Sequence, residues 1–197
     1  WSDLPLEVTG EFRLQVTRIQ DSVEELLAWS NPSDLRRTRE DLHALIDAAL
    51  RQACGPGTPW MPSIVRDFTA GRLIANVDPA RLSQALRNLI RNATQAMPRG
   101  GRLTVTTAQE DGRNTIRLSD SGGGMSPLVQ ARAFEPFFTT RATGTGLGLP
   151  VVRRIIEAHG GDVAIASSDT AGTTVILTLP AVADDLSAAP GVTGYRM

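Results

Sequence analysis

Two asparagines, Asn88 and Asn92, lie four residues apart in a stretch whose apolar residues recur with helical spacing. Side chains at this spacing project from neighbouring turns of one helix face. An amide oxygen is a suitable neutral ligand for Mg²⁺, especially when the ion also carries phosphates. The pair therefore indicates a metal site, although two solvent-facing asparagines on a surface helix would give the same pattern.

A carboxylate followed by glycines forms a second motif, which runs from Asp120 to Met125 at the end of a predicted strand. A carboxylate in this position can accept a hydrogen bond from an exocyclic amine. The glycines remove side chains that would keep a flat ring away from the backbone. The motif favours a base-binding site, and the alternative is a tight turn with a solvated aspartate.

Alternating glycines form a third motif, from Gly144 to Leu149, before a helix that is predicted to begin near Pro150. Backbone N–H groups of such a loop face one concavity, and the helix N-terminus adds positive potential, so the motif indicates a phosphate site. No strand leads directly into it, which distinguishes it from the dinucleotide fingerprint. Together, and in this order, the three motifs predict metal, adenine and phosphate sites on one domain.

Helices and short strands alternate around these motifs. Apolar periodicity predicts helices over 41–54, 80–97 and 149–159 and a short helix starting at Ser126-Pro127. Strands are predicted over 63–69, 73–77, 103–107, 115–119, 162–167 and 173–179. Asp111-Gly112 is typical of a hairpin turn. These elements predict an α/β domain over residues 41–180.

The first thirty residues have a period of their own. Their apolar residues are spaced by four and three positions, at Phe12, Val16, Ile19, Val23 and Leu26. Such a seam predicts a coiled-coil-like helix that pairs with another helix, or an amphipathic helix that lies on the main domain. We interpret 1–31 as this helix, 32–40 as a charged linker and 181–197 as a flexible tail.

Composition excludes several classes of protein. All 20 basic residues are arginines, and the net charge is −1. A chain without lysine has no Walker A loop, no strand lysine of a serine/threonine kinase and no Schiff-base chemistry. Cys54 is the only cysteine, so the chain has no internal disulfide. The charge balance does not indicate nucleic-acid binding or direct membrane contact.

The motifs together resemble those of the two-component sensor histidine kinases, in the nitrogen-regulation-sensor-like branch of the GHKL superfamily. Asn88 to Ala93 resembles their N box, Asp120 to Gly124 their G1 box, Phe134 to Thr140 their F box and Gly144 to Leu149 their G2 box. The resemblance covers about residues 10–180, and it implies that 1–31 is the remnant of a dimerisation and phosphoacceptor hairpin, of which only the second helix is present. It implies a two-layer α/β sandwich, the Bergerat ATP-binding fold, in which three helices cover one face of a mixed sheet.

The resemblance also implies roles for individual residues. Asn92 would bind Mg²⁺, with Asn88 supporting it or contacting phosphate, and Asp120 would accept a hydrogen bond from the adenine amine. Residues implied to line the base pocket are Gly122, Gly124, Met125 and, through water, Thr173. Residues implied to contact the phosphates of ATP are Arg141, Gly144, Thr145, Gly146, Leu147, Gly148 and Leu149. Three phenylalanines, Phe134, Phe137 and Phe138, would anchor the lid by packing.

Three departures from the family pattern matter. Asn88 stands where ATPases of this fold carry a glutamate base, so we expect weak ATP hydrolysis. Pro150 removes an N–H group from the first turn of the phosphate-binding helix. No phosphoacceptor histidine is identified. We interpret His43 as a partly exposed helix residue and His159 as a structural residue at a helix end, where a cation is favoured.

From these observations we expect the catalytic part of a histidine kinase that uses ATP and Mg²⁺. The intact protein would be a cytoplasmic or membrane-anchored homodimer that phosphorylates a histidine absent from this chain, for relay to the receiver domain of a response regulator. This chain would bind Mg-ATP without phosphorylating itself. The alternatives are a serine kinase of the anti-sigma-factor type and a non-catalytic nucleotide-binding dimerisation module.

Overall fold

The computed structural model describes residues 35–53, 62–69, 71–141, 144–167 and 171–182. The predicted helix around Phe12 to Leu26 lies outside the described residues, and so does the tail after residue 182. The division of the chain into helix, linker, catalytic domain and tail therefore remains a prediction.

The strands form two sheets. The larger sheet has the spatial order β2-β4-β5-β7-β6, in which only the β2–β4 pair is parallel. Its strands are β2 (Ser63–Asp67), β4 (Arg102–Glu110), β5 (Arg113–Asp120), β6 (Asp162–Ser167) and β7 (Thr173–Pro180). The smaller sheet pairs β1 (Thr38–Asp41) with β3 (Ile74–Val77).

Helices cover one face of the larger sheet. They are α1 (Leu42–Ala53), α2 (Pro79–Ala96) and α4 (Gly148–Ala158), and a short helix, α3 (Pro127–Arg132), lies in the connection between β5 and α4. Alternate residues of β4, β5 and β7 are buried and join residues of the three long helices in one apolar core. The mixed sheet with three covering helices confirms the predicted two-layer fold.

The two glycine motifs and the asparagine pair are each positioned by a regular element. The Asn pair lies in the second half of α2, whose N-terminus is capped by Asp78. Asp120 is the last residue of β5, and Gly148 is the first residue of α4. The hairpin at Asp111-Gly112 is confirmed: both residues have positive φ, as a type I′ turn requires.

Two central strands extend further than the apolar pattern predicted, whereas β2 ends two residues earlier than predicted. β4 and β5 run to the hairpin turn through polar residues, because ladder hydrogen bonds continue where one sheet face is solvated. β1 lies mostly within the charged stretch that we interpreted as a linker. Its charged side chains hid the strand, since β1 forms a two-stranded ribbon at the surface rather than a core strand.

A short segment, Leu35 to Arg37, ties β1 to the ends of two helices, and we call it the strap. The Arg36 N–H donates to Asp78 Oδ2 (3.0 Å), and Arg37 Nη2 donates to the Ala158 carbonyl (2.6 Å). Burial by itself would raise the pKa of Asp78. The N–H groups of Arg81, Arg36 and Ala80 donate to its carboxylate and outweigh this effect, so the pKa lies below its ordinary value. The cap is therefore a stable anion.

His159 completes this junction, and its ring is neutral although the helix end favours a cation there. Its Nε2 accepts the Asp78 N–H (2.9 Å), and its Nδ1 lies 2.7 Å from the Ile155 carbonyl. Nδ1 therefore carries the only ring proton, and the ring is neutral. Burial lowers the pKa of His159, which outweighs the helix-end potential that favours a cation. The structural role of His159 is confirmed.

Candidate nucleotide site

The second half of α2 carries the asparagine pair. Asn88 is 6% exposed, its Oδ1 accepts from Arg91 Nη2 (3.2 Å), and its buried Nδ2 has no partner among the described residues. Asn92, one turn later, is half-buried. A buried donor without a partner normally costs free energy, so its presence here is typical of a position where a ligand binds.

Asp120 lies where β5 ends beside the C-terminal end of α2. Its Oδ1 accepts N–H groups from Gly122 (2.9 Å) and Thr173 (3.3 Å), and its Oδ2 makes no hydrogen bond within the described residues. Burial raises the pKa of Asp120, although both N–H donors and the charge of Arg141 act in the opposite direction. A partly desolvated carboxylate with one free oxygen is suited to accept a hydrogen bond from a ligand amine.

The glycines after Asp120 permit close approach of backbone segments. A Cβ on Gly122 would come within 2.7 Å of the Ala96 carbonyl oxygen and 2.9 Å of Asp120 Oδ1. Gly124 has φ +72°, a conformation that glycine adopts without strain. The Met125 N–H donates to Ser167 Oγ (2.9 Å), which fixes the end of this loop to β6. Because Gly122 has no side chain, the motif can lie directly against Ala96 of α2.

Residues at the start of β7 complete the base-binding end. Thr173 is 6% exposed and lies opposite Asp120 in the β5–β7 register. Gly172 has φ +81°, and a Cβ there would overlap the carbonyl oxygen of Asp120. Ser167 Oγ donates to the Gly172 carbonyl (2.9 Å). Neither Ser167 nor Gly172 belongs to a motif that the sequence pattern identified as a candidate site.

A loop that we call the lid, residues 137–146 with 142 and 143 outside the described residues, lies over α2. Arg141 Nη1 donates to Asn92 Oδ1 (3.3 Å) and Gln95 Oε1 (2.5 Å), and its Nη2 donates to the Asn92 carbonyl (3.2 Å). Desolvation and the charge of Arg91 lower the pKa of Arg141, and Asp120 raises it. Gln95 is a further contact that the sequence analysis missed.

Aromatic residues support the lid, but in only two of the three predicted positions. Arg153 lies 3.8 Å from the centroid of the Phe134 ring, and Arg132 lies 4.1 Å from that of Phe138. Phe137 was expected to pack, and this was wrong because its side chain is 67% exposed. Its φ of +65° turns its backbone, rather than its ring, towards Gly146.

The Gly146 backbone and the start of α4 form the phosphate-binding end. Gly146 accepts the Phe137 N–H (3.0 Å), and a Cβ on Gly146 would overlap the Phe137 backbone. Leu147 is buried and its N–H donates to Thr145 Oγ1 (3.2 Å), so it holds the loop together from within.

Unpaired donors remain at the helix N-terminus. α4 begins at Gly148 and has no side-chain cap. The N–H groups of Gly148 and Leu149 therefore have no partner within the helix, and Pro150 contributes none. Gly144 closes the other end of the lid, where its N–H donates to the Arg141 carbonyl (3.2 Å). The arrangement can bind an anion through backbone donors.

These parts fit a magnesium-bound nucleoside triphosphate. Asp120 with its glycine-lined surroundings suits an aminated base, while Arg141 and the start of α4 suit phosphates. Asn92 Oδ1 is a hard, neutral oxygen ligand. Within the described ranges, no group of three His, Cys, Asp or Glu side chains could hold a metal. Among the same residues, no helix has the length and apolarity needed to cross a membrane.

Comparisons with known proteins agree with this geometry. Residues 77–183 match the family described as histidine kinase-, DNA gyrase B-, and HSP90-like ATPase. The chain is 37% identical to the sensor histidine kinase ZraS of Escherichia coli K12, over 84% of this chain and 36% of that protein. It is 34% identical to the signal transduction histidine-protein kinase AtoS of the same strain, over 84% of this chain and 28% of that protein. The chain thus spans about a third of these relatives' length.

A solved structure shows the same fold. The mycobacterial sensor histidine kinase MprB superimposes with a TM-score of 0.64 at 27% identity, over 74% of this chain and 97% of that structure. The matched family segment begins just before the cap of α2 and contains Asp120, the lid and the start of α4. This chain therefore belongs to the histidine kinase-, DNA gyrase B- and HSP90-like ATPase family, and its relatives are sensor histidine kinases.

Proposed function

We propose that this chain is the ATP-binding catalytic part of a sensor histidine kinase, which transfers the γ-phosphoryl group of ATP to a histidine outside this sequence. One observation carries the proposal: the first glycine motif and the lid both contact the C-terminal half of α2. Gly122 packs on Ala96, while Arg141 of the lid donates to Asn92 and Gln95. The proposed base site and the proposed phosphate site therefore both lie against the second half of α2.

The polar groups at the two ends would divide the recognition of ATP between them. Asp120 Oδ2 accepts from the adenine amine, and Arg141 with the N–H groups of Gly148 and Leu149 binds phosphate oxygens. Asn92 holds Mg²⁺, with Asn88 at its side. When bound, the ion would supply positive charge beside the phosphates, and Asn92 Oδ1, which here accepts from Arg141 Nη1, would be the residue atom that holds it.

Neither histidine of the chain suits the role of acceptor. His159 is buried with both ring nitrogens in hydrogen bonds. His43 is stacked on Phe68 at 4.6 Å and is hydrogen-bonded to Thr107 Oγ1 (2.9 Å). These contacts support the proposal that the acceptor belongs to another segment of a homodimer, which would pass the phosphoryl group to a response regulator receiver domain.

Calorimetric titration tests ATP binding directly. A non-hydrolysable ATP analogue with Mg²⁺ is titrated into the chain and into Asp120→Asn, whose amide presents a donor to the adenine amine. We expect the substitution to weaken binding by at least about tenfold. The matched control is Asp162→Asn, which removes an exposed carboxylate paired with Arg113 at 2.9 Å. A folded chain that binds no nucleotide would contradict the proposal.

Incubation with γ-labelled ATP tests the transfer step. We expect slow hydrolysis, since the amide of Asn88 cannot act as a general base. We also expect no acid-labile label on His43 or His159. Label on either histidine, or acid-stable phosphoserine on a partner protein, would contradict the assignment of an external histidine.

A further inference from the structure

Three polar side chains form a row at the ends of neighbouring strands. Asp120 ends β5, Thr173 begins β7 opposite it, and Ser167 ends β6 opposite Thr173. Directly opposed residues in antiparallel strands project from the same face of the sheet. Oδ1 of Asp120 accepts the Thr173 N–H, and the hydroxyl groups of Ser167 and Thr173 lie 3.1 Å apart. The row therefore borders the base-binding end of the candidate site.

The direction of the hydroxyl–hydroxyl bond follows from the donor count. A serine hydroxyl has one hydrogen and two lone pairs. The hydrogen of Ser167 goes to the Gly172 carbonyl (2.9 Å), which can only accept. One lone pair of Ser167 accepts the Met125 N–H (2.9 Å). Ser167 has no second hydrogen, so in its 3.1 Å contact it must accept, and the Thr173 hydroxyl must donate.

This constraint fixes what Thr173 can offer to a ligand. Its only hydroxyl hydrogen is held by Ser167, so its oxygen can accept but not donate. Asp120 is likewise an acceptor when ionised. A water that bridges to the ring and donates both hydrogens to these two residues also presents only lone pairs. Thr173 and Asp120 therefore offer only acceptors to the base, and a ring that binds there has to supply a hydrogen-bond donor.

We infer that Ser167 is a positioning residue for base specificity: by holding the Thr173 hydroxyl hydrogen, it makes the site accept an amino group and reject an oxygen at the same position of a purine. The inference rests on the proposed ATP-binding function. At the C6 position a carbonyl oxygen would face acceptors only, even though N1 of such a purine carries a hydrogen, and unpaired buried polar groups are the strongest source of discrimination between similar ligands.

The test compares ADP with IDP, whose base has an oxygen in place of the C6 amino group. Both are titrated calorimetrically with Mg²⁺ into the unmodified chain and Ser167→Ala. Without Ser167, the Thr173 hydroxyl is free to rotate and donate to the oxygen of IDP. We expect the ADP preference to fall by about five- to tenfold, the contribution of one hydrogen bond. Ser167→Thr, which keeps a hydroxyl, should retain it.

A matched control exists on the opposite face of the same strands. Ser119 Oγ and Thr174 Oγ1 lie 2.8 Å apart, one residue away from Asp120 and Thr173. Ser119→Ala removes the same kind of hydroxyl pair from β5 and β7, and we expect no change in the ADP-to-IDP ratio. In a Thr173→Val background, Ser167→Ala should have no further effect on that ratio.

The outcomes separate this inference from a purely structural role. If Ser167→Ala weakens ADP and IDP equally, Ser167 only supports the Met125 loop, and the inference is overturned. If the unmodified chain binds both nucleotides equally, the inference fails while the proposed ATP binding stands. If neither binds, both fail. Should Ser167→Ala not fold, Ser167→Cys replaces it, since a thiol is a weak donor and acceptor, and a partial loss of preference is expected.

Discussion

The two ends of the candidate site are built in different ways. At the base end, Asp120, Thr173 and Ser167 are strand residues joined by hydrogen bonds to one another. At the phosphate end, the lid is largely exposed and is fixed by contacts of its own backbone and by Arg141, which is itself exposed. The proposed base site is therefore built on strands joined by hydrogen bonds, whereas the proposed phosphate site is built largely on an exposed loop.

The strongest way to break the base end is to add one methyl group. We expect Gly172→Ala to abolish nucleotide binding and to lower the free energy of unfolding by on the order of 3 kcal/mol or more, because its Cβ would overlap the Asp120 carbonyl oxygen. Urea denaturation and calorimetry measure the two effects. Gly112→Ala is the control, since Gly112 also has positive φ (+71°) but open space around it. It should cost about 1–2 kcal/mol and leave binding unchanged.

Arg141→Ala separates the two ends by ligand. We expect it to weaken ATP binding by about tenfold or more, through the loss of charge-assisted hydrogen bonds to phosphate, and to leave adenosine binding unchanged. Titrations with both ligands give the answer. Arg117→Ala, on the exposed outer face of β5, is the charge-matched control. An equal loss for adenosine and ATP would contradict the division of the site into two ends.

Lowering the pH should act on the base end alone. Burial raises the pKa of Asp120 above its ordinary value of 3.8, and the ionised carboxylate is a much stronger acceptor for the adenine amine than the protonated form, whose O–H group is a donor. Adenosine affinity should therefore fall by about tenfold for each pH unit below this raised pKa, and recover above it. Adenosine is the probe because it has no phosphate to titrate. In Asp120→Asn the dependence should disappear, and its persistence there would assign it to another group.

The smallest expected effect comes from adding one backbone N–H group to the phosphate end. Pro150→Ala restores an N–H group in the first turn of α4, beside those of Gly148 and Leu149. A further backbone donor should strengthen ATP binding by about two- to threefold without affecting adenosine. The two ligands are again compared by titration. A weaker ATP complex would show that the proline ring itself supports the loop.

The sequence pattern pointed to the polar and glycine residues of the candidate site, but not to the residues that hold them in position. Asp120, Asn92 and Gly146 stand in motifs whose residue types and spacing indicate a ligand. Ser167 and Gly172 act on other protein groups, through a hydroxyl and through close backbone approach, and such roles depend on strand register. That register joins residues about fifty positions apart, which local patterns do not reveal.

The same limit explains the errors elsewhere. Phe137 reads as an apolar anchor, but its positive φ sends the ring into solvent. His159 reads as a helix-end cation, but burial and the Asp78 N–H keep it neutral. Both outcomes are decided by tertiary contacts, which outweigh the local preference of the residue type. The helices, in contrast, follow apolar periodicity to within a residue or two.

The strap forms hydrogen bonds to the ends of two helices, α2 and α4. It holds the cap of α2 through Asp78 and the last turn of α4 through Ala158, and these helices carry the candidate site residues Asn92 and Gly148. At 1.5 Å per residue, 18-residue α2 is about 27 Å long and 11-residue α4 about 16 Å. Because one three-residue segment bonds to both helices, a displacement of the strap would change the positions of α2 and α4 together rather than one at a time.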